Sequence, residues 1–203
     1  MLIGKNKNIN EQLIILETIL NKNTTLMEIL KVLEKYAKKN PDFKNHYLAA
    51  GCINQTVFNY YHKYDIEYGI KDYDIVYYDK DTSYEKEDLI IKDLKKELNR
   101  FDIEYDIKNQ NRVPIWYKEK YGITRKKYTN VENAISRWTS TITCIGVRLE
   151  NNKLKVVCPY GLNDLFTMTI RPVKIDTKQE DYEKKAKKWQ EKWPKLKVKE
   201  WNE

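Results

Sequence analysis

The feature that most constrains the fold is a pair of segments in which polar and apolar side chains alternate. The alternation runs through residues 71–78 and returns in residues 102–108. A period of two residues is typical of a β-strand, and it places Asp72 and Asp74 on one face of the first strand. Asp106 lies on the polar face of the second. The sequence therefore predicts two strands that each carry carboxylates on one face.

A long helix is predicted between these two strands. We expect it to begin at a capping box formed by Thr82 and Glu85. Its buried face is predicted from an apolar stripe at helical spacing, formed by Ile91, Leu94, Leu98 and Phe101. Upstream, residues 47–50 predict a short strand that ends in a turn at Gly51, and residues 53–62 predict a helix. This gives the order strand, glycine turn, helix, strand, helix, strand.

The two ends of the chain are predicted to be helical. Residues 11–20 form one amphipathic helix, and a capping box of Thr25 with Glu28 opens a second. The carboxy-terminal helix is predicted from apolar residues spaced by four, three and four positions, namely Tyr182, Ala186, Trp189 and Trp193. Residues 142–149 and 154–158 predict a hairpin. The expected organisation is a helical hairpin over residues 1–40, a catalytic domain over 41–175 and a docked helix and tail over 176–203.

Composition excludes several classes of protein. Hydrophobic residues make up 41% of the chain and charged residues 33%, which is typical of a globular protein. No apolar run approaches the roughly 20 residues that cross a bilayer, and no secretory signal opens the chain, so we expect a cytoplasmic protein without a membrane partner.

The three cysteines, Cys52, Cys144 and Cys158, have no zinc-site spacing. The net charge of +8 fits nucleic-acid binding, but a Lys-rich composition without a polyanionic partner explains it equally well.

The aspartates are the candidate chemical groups. Side chains two residues apart on a strand lie on one face, with Cα atoms roughly 6.5 to 7 Å apart, so Asp72 and Asp74 can share a cation. Hard oxygen ligands without nearby Cys or His favour Mg²⁺ or Mn²⁺. If Asp106 points the same way from an adjacent strand, the three carboxylates can hold a metal pair for displacement at phosphorus. The alternative is that they are solvent-facing charges of an edge strand.

Four segments resemble a known bacterial family. Residues 49–59, 72–79, 108–113 and 159–166 read AAGCINQTVFN, DYDIVYYD, KNQNRV and PYGLNDLF. Together they resemble a nucleotidyltransferase-like family of the DNA polymerase β superfamily, over roughly residues 47–172. The resemblance implies an α+β fold, with a mixed sheet flanked by helices, and a magnesium-dependent nucleotidyl-transfer site.

The resemblance also implies roles for individual residues. Asp72 and Asp74 would bind the metals that hold a nucleoside triphosphate, and Asp106 would bind the second metal and help to deprotonate the acceptor. Gly51 would let backbone N–H groups approach the triphosphate at a helix start. The other implied substrate-binding residues are Lys108 and Arg112 for phosphate, Asn54, Asn109 and Gln110 for sugar or base, and Cys52.

Several of these positions have structural alternatives. Cys52 stands where relatives usually carry Ser, and Gly51 lies farther from Asp72 than in the short superfamily pattern. Arg112 could equally form a structural ion pair, and Asn109 and Gln110 could cap the following helix. Trp116 and Trp138 could stack on a nucleobase or fill the core.

The function predicted from the sequence is transfer of a nucleoside monophosphate from a triphosphate to an unidentified hydroxyl or phosphate acceptor, with RNA among the candidates. The alternatives are a catalytically inactive module that binds nucleotide or RNA, and a toxin-type transferase that modifies transfer RNA or a protein.

Overall fold

The computed structural model describes residues 1–203. Its strands are β1 (His46–Ala49), β2 (Asp72–Tyr77), β3 (Glu104–Asn109), β4 (Gly146–Glu150), β5 (Lys153–Val157), β6 (Thr169–Ile170) and β7 (Lys197–Val198). Its helices are α1 (Ile9–Leu20), α2 (Thr24–Lys39), α3 (Gly51–His62), α4 (Tyr84–Glu97), α5 (Val113–Tyr121), α6 (Val131–Ile135), α7 (Asn163–Phe166) and α8 (Gln179–Lys192). None of these helices combines the length and the hydropathy that a membrane span requires.

Five strands form one mixed sheet in the order β3-β2-β1-β4-β5. β2 and β3 are parallel, whereas β1 is antiparallel to both β2 and β4, and β4 is antiparallel to β5. The parallel pair needs a crossover, which α4 supplies. The remaining two strands, β6 and β7, pair in parallel apart from the main sheet. The predicted α+β fold with a mixed sheet flanked by helices is therefore confirmed.

The alternation in β2 separates an apolar face from a polar one. Tyr73, Ile75 and Tyr77 belong to the main core of 36 buried residues. The start of α4 differs from the prediction, because the helix begins at Tyr84 after Ser83 and no side chain caps it. The buried side of α4 also differs from the prediction by one residue at its amino-terminal end. Ile90 is buried with Leu94 and Leu98, while Ile91 and Phe101 are only partly buried.

The helices α1 and α2 pack on α3 and β4, and their apolar side chains join the same main core. The capping box predicted at Thr25 is wrong, because Asn23 caps α2. Its Oδ1 accepts a hydrogen bond from the Leu26 N–H at 2.9 Å, and its Nδ2 donates to Thr56 Oγ1 at 2.9 Å. One buried amide therefore caps α2 and ties it to α3. The domain limits at residues 40 and 175 stay a prediction.

The carboxy-terminal helix α8 docks on the body, as predicted from its apolar stripe. Trp193 is fully buried just beyond the helix, and its indole N–H donates to Asn59 Oδ1 on α3 at 2.7 Å. The Tyr182 hydroxyl reaches the carbonyl oxygens of Ile170 and Lys199. These contacts fix the rotation of α8 and therefore the direction in which its other side chains point.

The predicted hairpin is present, with shorter strands. Asn151 and Asn152 have φ angles of +54° and +60°, so they form the tight turn that joins β4 to β5. Residues 142–145 are not part of the strand. The N–H groups of Thr143 and Cys144 instead donate to the Ser140 carbonyl, which forms a local turn before β4 begins.

His46 makes stability depend on pH. Its ring is buried at the start of β1 and stacks on Phe43, its Nδ1 lies 3.1 Å from the Phe43 carbonyl oxygen, and its Nε2 has no partner. Burial lowers the pKa of His46 from 6.5 to about 4. Between pH 4 and pH 6.5, His46 therefore binds a proton in the unfolded chain but stays neutral in the folded chain. The contribution of neutral His46 to folding stability is complete above pH 6.5 and is lost between pH 6.5 and pH 4, by up to about 3 kcal/mol.

We expect His46→Phe to remove this contribution, so that the free energy of unfolding falls less towards acid pH than in wild type, in urea unfolding measured between pH 4 and pH 7. His62→Asn is the matched control, because His62 is only half-buried and its pKa is lowered less. If the free energy of unfolding changed equally with pH in wild type and His46→Phe, His46 would not be the source of this pH dependence.

Candidate functional site

The carboxylates of β2 and β3 share one face of the sheet. Asp74 is the register partner of Asp106 in the parallel pair, and Asp72 is the partner of Glu104. Paired residues on parallel strands point to the same side, and neighbouring strands lie about 4.8 Å apart. Asp72 lies two residues before Asp74 and shares its face. The backbone therefore directs Asp72, Asp74 and Asp106 to the same side.

Asp74 and Asp106 form the floor of a cavity of about 330 Å³, which we call the carboxylate cavity, whereas Asp72 is exposed and lies outside its lining. Pockets of this size accommodate small molecules. Asp74, Asp106, Lys108 and Gln110 line it from the sheet and the end of β3, and Ala50 lines it from the turn before α3. The other lining residues include Trp116, Tyr117, Arg125, Arg137, Trp138, Thr143, Asp176 and Lys185.

The surroundings of Asp74 disfavour the charged form of its carboxyl group. Burial, together with repulsion from Asp72 and Asp106, raises the pKa of Asp74 to about 6, although Lys185 and Lys108 oppose the rise. Neither Asp72 nor Asp74 takes part in an ion pair or a side-chain hydrogen bond. A divalent cation with a preference for oxygen ligands would relieve this repulsion, so the donor set fits Mg²⁺ or Mn²⁺.

The third carboxylate has a partner within the chain. Lys108, two residues along β3, forms an ion pair with Asp106. In this arrangement no three acidic, histidine or cysteine side chains are gathered closely enough to enclose a metal ion. The predicted triad thus shares a face, but its side chains do not converge. Asp106 can bind a metal ion only after its ion pair with the Lys108 ammonium is broken.

Lys185 is the main functional candidate that the sequence did not identify. It extends from α8 into the carboxylate cavity and forms no ion pair, although its ammonium lies 5.0 Å from the centre of the Trp189 ring. Burial lowers the pKa of Lys185, while Asp74 and Asp72 raise it. A signal for it was present, because position 185 falls within the apolar stripe between Tyr182 and Trp189. A lysine there must extend into the protein rather than into solvent.

A second set of cations and rings forms the opposite wall. Arg125 donates from Nη2 to the Asp176 carbonyl oxygen at 2.9 Å and lies over the Tyr117 ring at 3.4 Å. Arg137 pairs with the Asp176 carboxylate at 3.6 Å. Trp116 and Trp138 line the same cavity, and Trp116 is 38% exposed. The wall therefore offers planar cations and aromatic faces to a ligand, a combination that binds nucleotides.

The start of α3 borders the cavity through backbone rather than side chains. Ala50 precedes the helix with a φ angle of +53°, and no side chain caps this helix end. Gly51 and Cys52 begin the helix behind it. The Cys52 thiol is fully buried, and burial raises its pKa, with added repulsion from Asp74. The position that usually carries Ser in relatives thus provides no side chain to the cavity, and only its backbone N–H remains a candidate ligand.

Asn54 and Asn109 do not line the carboxylate cavity. Asn54 is 0% exposed, and neither atom of its amide has a partner. The Asn109 amide donates to the carbonyl oxygens of Asp79 and Asp81 and accepts from the Asp79 and Asn111 N–H groups. It therefore holds the turn after β2 against the end of β3. This is a structural role, different from the substrate contact that the resemblance implies.

Arg112 also has a structural partner. It forms an ion pair with Glu87 on α4, and its guanidinium lies over the Tyr84 ring at 5.4 Å. Glu87 in turn accepts from the Asn109 N–H at 2.8 Å. Arg112 lies outside the carboxylate cavity. Of the two interpretations left open by the sequence, the ion pair is the one observed, and Lys108 is the candidate phosphate contact that remains at the cavity.

Comparison with known proteins agrees with this geometry. Residues 37–198 match the model of a protein family described as Nucleotidyltransferase. The chain belongs to this nucleotidyltransferase family. The matched segment contains all three aspartates, Lys108 and Lys185. Among curated proteins, none matches the chain.

A solved structure supports the same conclusion for the nucleotidyltransferase fold. It is a solution NMR structure described as revealing a CCA-adding enzyme head domain, with 26% sequence identity and a TM-score of 0.72. The similarity covers 97% of this chain and 99% of the other. The resemblance to polymerase β-like nucleotidyltransferases that the sequence motifs suggested is thereby confirmed.

Proposed function

We propose that the chain transfers a nucleoside monophosphate from a nucleoside triphosphate to a hydroxyl or phosphate acceptor, with Mg²⁺ or Mn²⁺ held by Asp72, Asp74 and Asp106. One observation carries the proposal. Asp74 and Asp106 lie in register on parallel strands at the floor of a cavity whose walls supply cations and aromatic rings. The family and the similar head domain support nucleotidyl transfer as the reaction class.

The reaction is a substitution at the α-phosphorus. The acceptor oxygen forms a bond to this phosphorus, the bond to the oxygen that bridges to the β-phosphorus breaks, and pyrophosphate leaves with that electron pair. Asp106 accepts the proton of the acceptor hydroxyl. The divalent cation, when bound, supplies neutralisation of the triphosphate charge. The chain contributes mainly position and charge.

The lysines of the cavity have a second role in this proposal. Lys108 neutralises Asp106 in the structure, and Lys185 faces Asp74 without an ion pair. When a cation replaces them beside the carboxylates, both ammonium groups become free to bind triphosphate oxygens. Trp116 and Trp138 provide aromatic faces for the base. Each part of the triphosphate then has a matching group in the cavity.

RNA is the acceptor that we propose. The similar structure is described as a CCA-adding enzyme head domain. The chain is also basic, with a net charge of +8. We place the reaction in the cytoplasm, where three free cysteines stay reduced.

The test is a label-transfer assay with purified protein, Mg²⁺ and each of the four α-labelled ribonucleoside triphosphates. Acceptors are supplied as separate pools of RNA, protein and small molecules from a cell extract. We expect label in the RNA pool and its loss on chelation with EDTA. A γ-labelled triphosphate is the matched control, because nucleotidyl transfer leaves that label in pyrophosphate. The protein would instead be an inactive binding module if no pool received label and if triphosphate bound equally well with and without Mg²⁺.

A further inference from the structure

A basic groove lies next to the carboxylate cavity, on the other side of α5. We define the basic groove by its four cations, Lys80, Lys118, Arg125 and Lys127, which face a single carboxylate, Glu119. Its volume is about 770 Å³, more than twice that of the carboxylate cavity. The groove therefore offers an extended positive surface outside the site of chemistry.

The cations of the groove have no acidic partners. Residues 118–127 contain five basic residues and one acidic residue, whereas the whole chain has 38 and 30. Neither these five basic residues nor Lys80 forms an ion pair. Unpaired lysines also occur elsewhere, for example Lys22 and Lys35 on the amino-terminal hairpin, so the distinguishing feature of the groove is its local excess of basic over acidic residues. This excess is larger than the chain average, so the cluster favours an anionic ligand.

The groove and the carboxylate cavity adjoin at one residue. Arg125 lines both of them. The helix α5 separates the two, with Val113, Trp116 and Tyr117 facing the cavity and Ile115 and Lys118 facing the groove. A chain molecule lying in the groove can therefore pass Arg125 and place its end at the carboxylates.

An exposed aromatic ring lies beyond the groove at the end of α5. Tyr121 is 51% exposed, it lines a pocket together with Arg125, and the Lys120 ammonium lies 5.5 Å from its ring centre. Cations beside exposed rings are typical of surfaces that bind single strands, because cations contact the phosphates while bases stack on the rings. A duplex hides its bases and would leave this ring without a partner.

We propose that the basic groove binds a single-stranded segment of RNA and directs its terminal hydroxyl into the carboxylate cavity. This inference rests on the proposed transferase function and assigns the docking surface of its acceptor. Lys118 and Lys127 contact the phosphates, Arg125 marks the entrance to the cavity, and Tyr121 stacks on a base. Triphosphate binding in the cavity is independent of Lys118 and Lys127.

The test compares wild type with a double charge reversal, Lys118→Glu with Lys127→Glu. The probe is a fluorescent single-stranded oligoribonucleotide with a free 3′-hydroxyl, followed by anisotropy over a range of salt concentrations. We expect the groove variant to bind at least about ten-fold more weakly. The slope of log affinity against log salt should fall by about 1.4, since each phosphate contact on a single strand contributes about 0.7.

The matched control is Lys22→Glu with Lys35→Glu, which makes the same charge change at exposed lysines of the amino-terminal hairpin that form no ion pair. It should retain wild-type RNA affinity, and all three proteins should bind a fluorescent triphosphate equally in Mg²⁺. Equal loss of RNA binding in both variants, or no RNA binding by wild type, overturns the groove assignment. Wild-type label transfer to protein but not to RNA also overturns it and leaves the transferase function intact. RNA binding through the groove without any label transfer would reject the transferase function alone.

Discussion

Replacing Asp74 by Asn is expected to lower nucleotidyl transfer about a thousand-fold or more while leaving the fold at least as stable as wild type. Asp74 is the carboxylate at the centre of the site, with Asp72 on the same strand and Asp106 opposite in register. An amide keeps its shape but loses the charge that binds a divalent cation. Activity should therefore fall without unfolding.

The stability of this variant has a defined pH dependence. Burial and the neighbouring carboxylates raise the pKa of Asp74 from 3.8 to about 6. The unfolded chain releases this proton at lower pH than the folded chain, so ionisation of Asp74 opposes folding increasingly from pH 4 to pH 6. Above pH 6 the opposing contribution is constant, at about 1–3 kcal/mol. A neutral amide at this position removes that contribution, so in EDTA the Asp74→Asn variant should gain stability over wild type across this range.

The two measurements are label transfer in Mg²⁺ and urea unfolding in EDTA. Asp102→Asn is the control for both, because Asp102 is exposed and lies before β3. It should change neither activity nor stability appreciably. Transfer by Asp74→Asn within a few-fold of wild type would remove the carboxylates from the mechanism.

The fold was largely predictable because its signals are local. Alternation in 71–78 and 102–108 predicted β2 and β3, and the stripe at Tyr182, Ala186 and Trp189 predicted the docking of α8. Helix caps were less predictable. Several residues near a helix start can provide a cap, and the choice of Asn23 depends on its bond to Thr56 on another helix. The pairing order of the strands is likewise a long-range property.

The candidate site was predictable in its backbone positions and less so in its side-chain partners. Carboxylates spaced by two residues on a strand share a face whatever the surroundings, which is why Asp72 and Asp74 were identified. The partners of Arg112 and Asn109 come from α4 and from the turn after β2, and these partners are remote in sequence. A motif therefore could not distinguish a phosphate contact from a structural bond.

The charges of the site explain why a lysine from the far end of the chain matters. In the structure, Lys185 and Lys108 are the cations that counter the charge of Asp74, and Lys108 also pairs with Asp106. Lys185, in contrast, has no ion pair. Trp193 and Tyr182 anchor α8 to the body. The carboxy-terminal helix thus completes the cavity, and its lysine is positioned before any ligand binds.

Lys185→Met is accordingly expected to weaken triphosphate binding about ten- to a hundred-fold, the effect of losing one charge-assisted contact to an anion. Because the proposed contact is made to the triphosphate before and during transfer, KM should rise with a smaller change in kcat. Met retains most of the aliphatic length of Lys, so the packing against Trp189 should survive. Steady-state kinetics with the triphosphate varied in Mg²⁺ provide the measurement.

Lys188→Met is the matched control, because Lys188 is exposed on the same helix and lies outside the cavity. Lys185→Arg should recover part of the lost affinity, since it restores the positive charge with a different shape. A purely structural role would lower the melting temperature of Lys185→Met and leave KM for the triphosphate unchanged. An unchanged KM with normal folding would show that α8 closes the cavity without binding phosphate, and the triphosphate would then depend on Lys108, Arg125 and Arg137 for its positive partners.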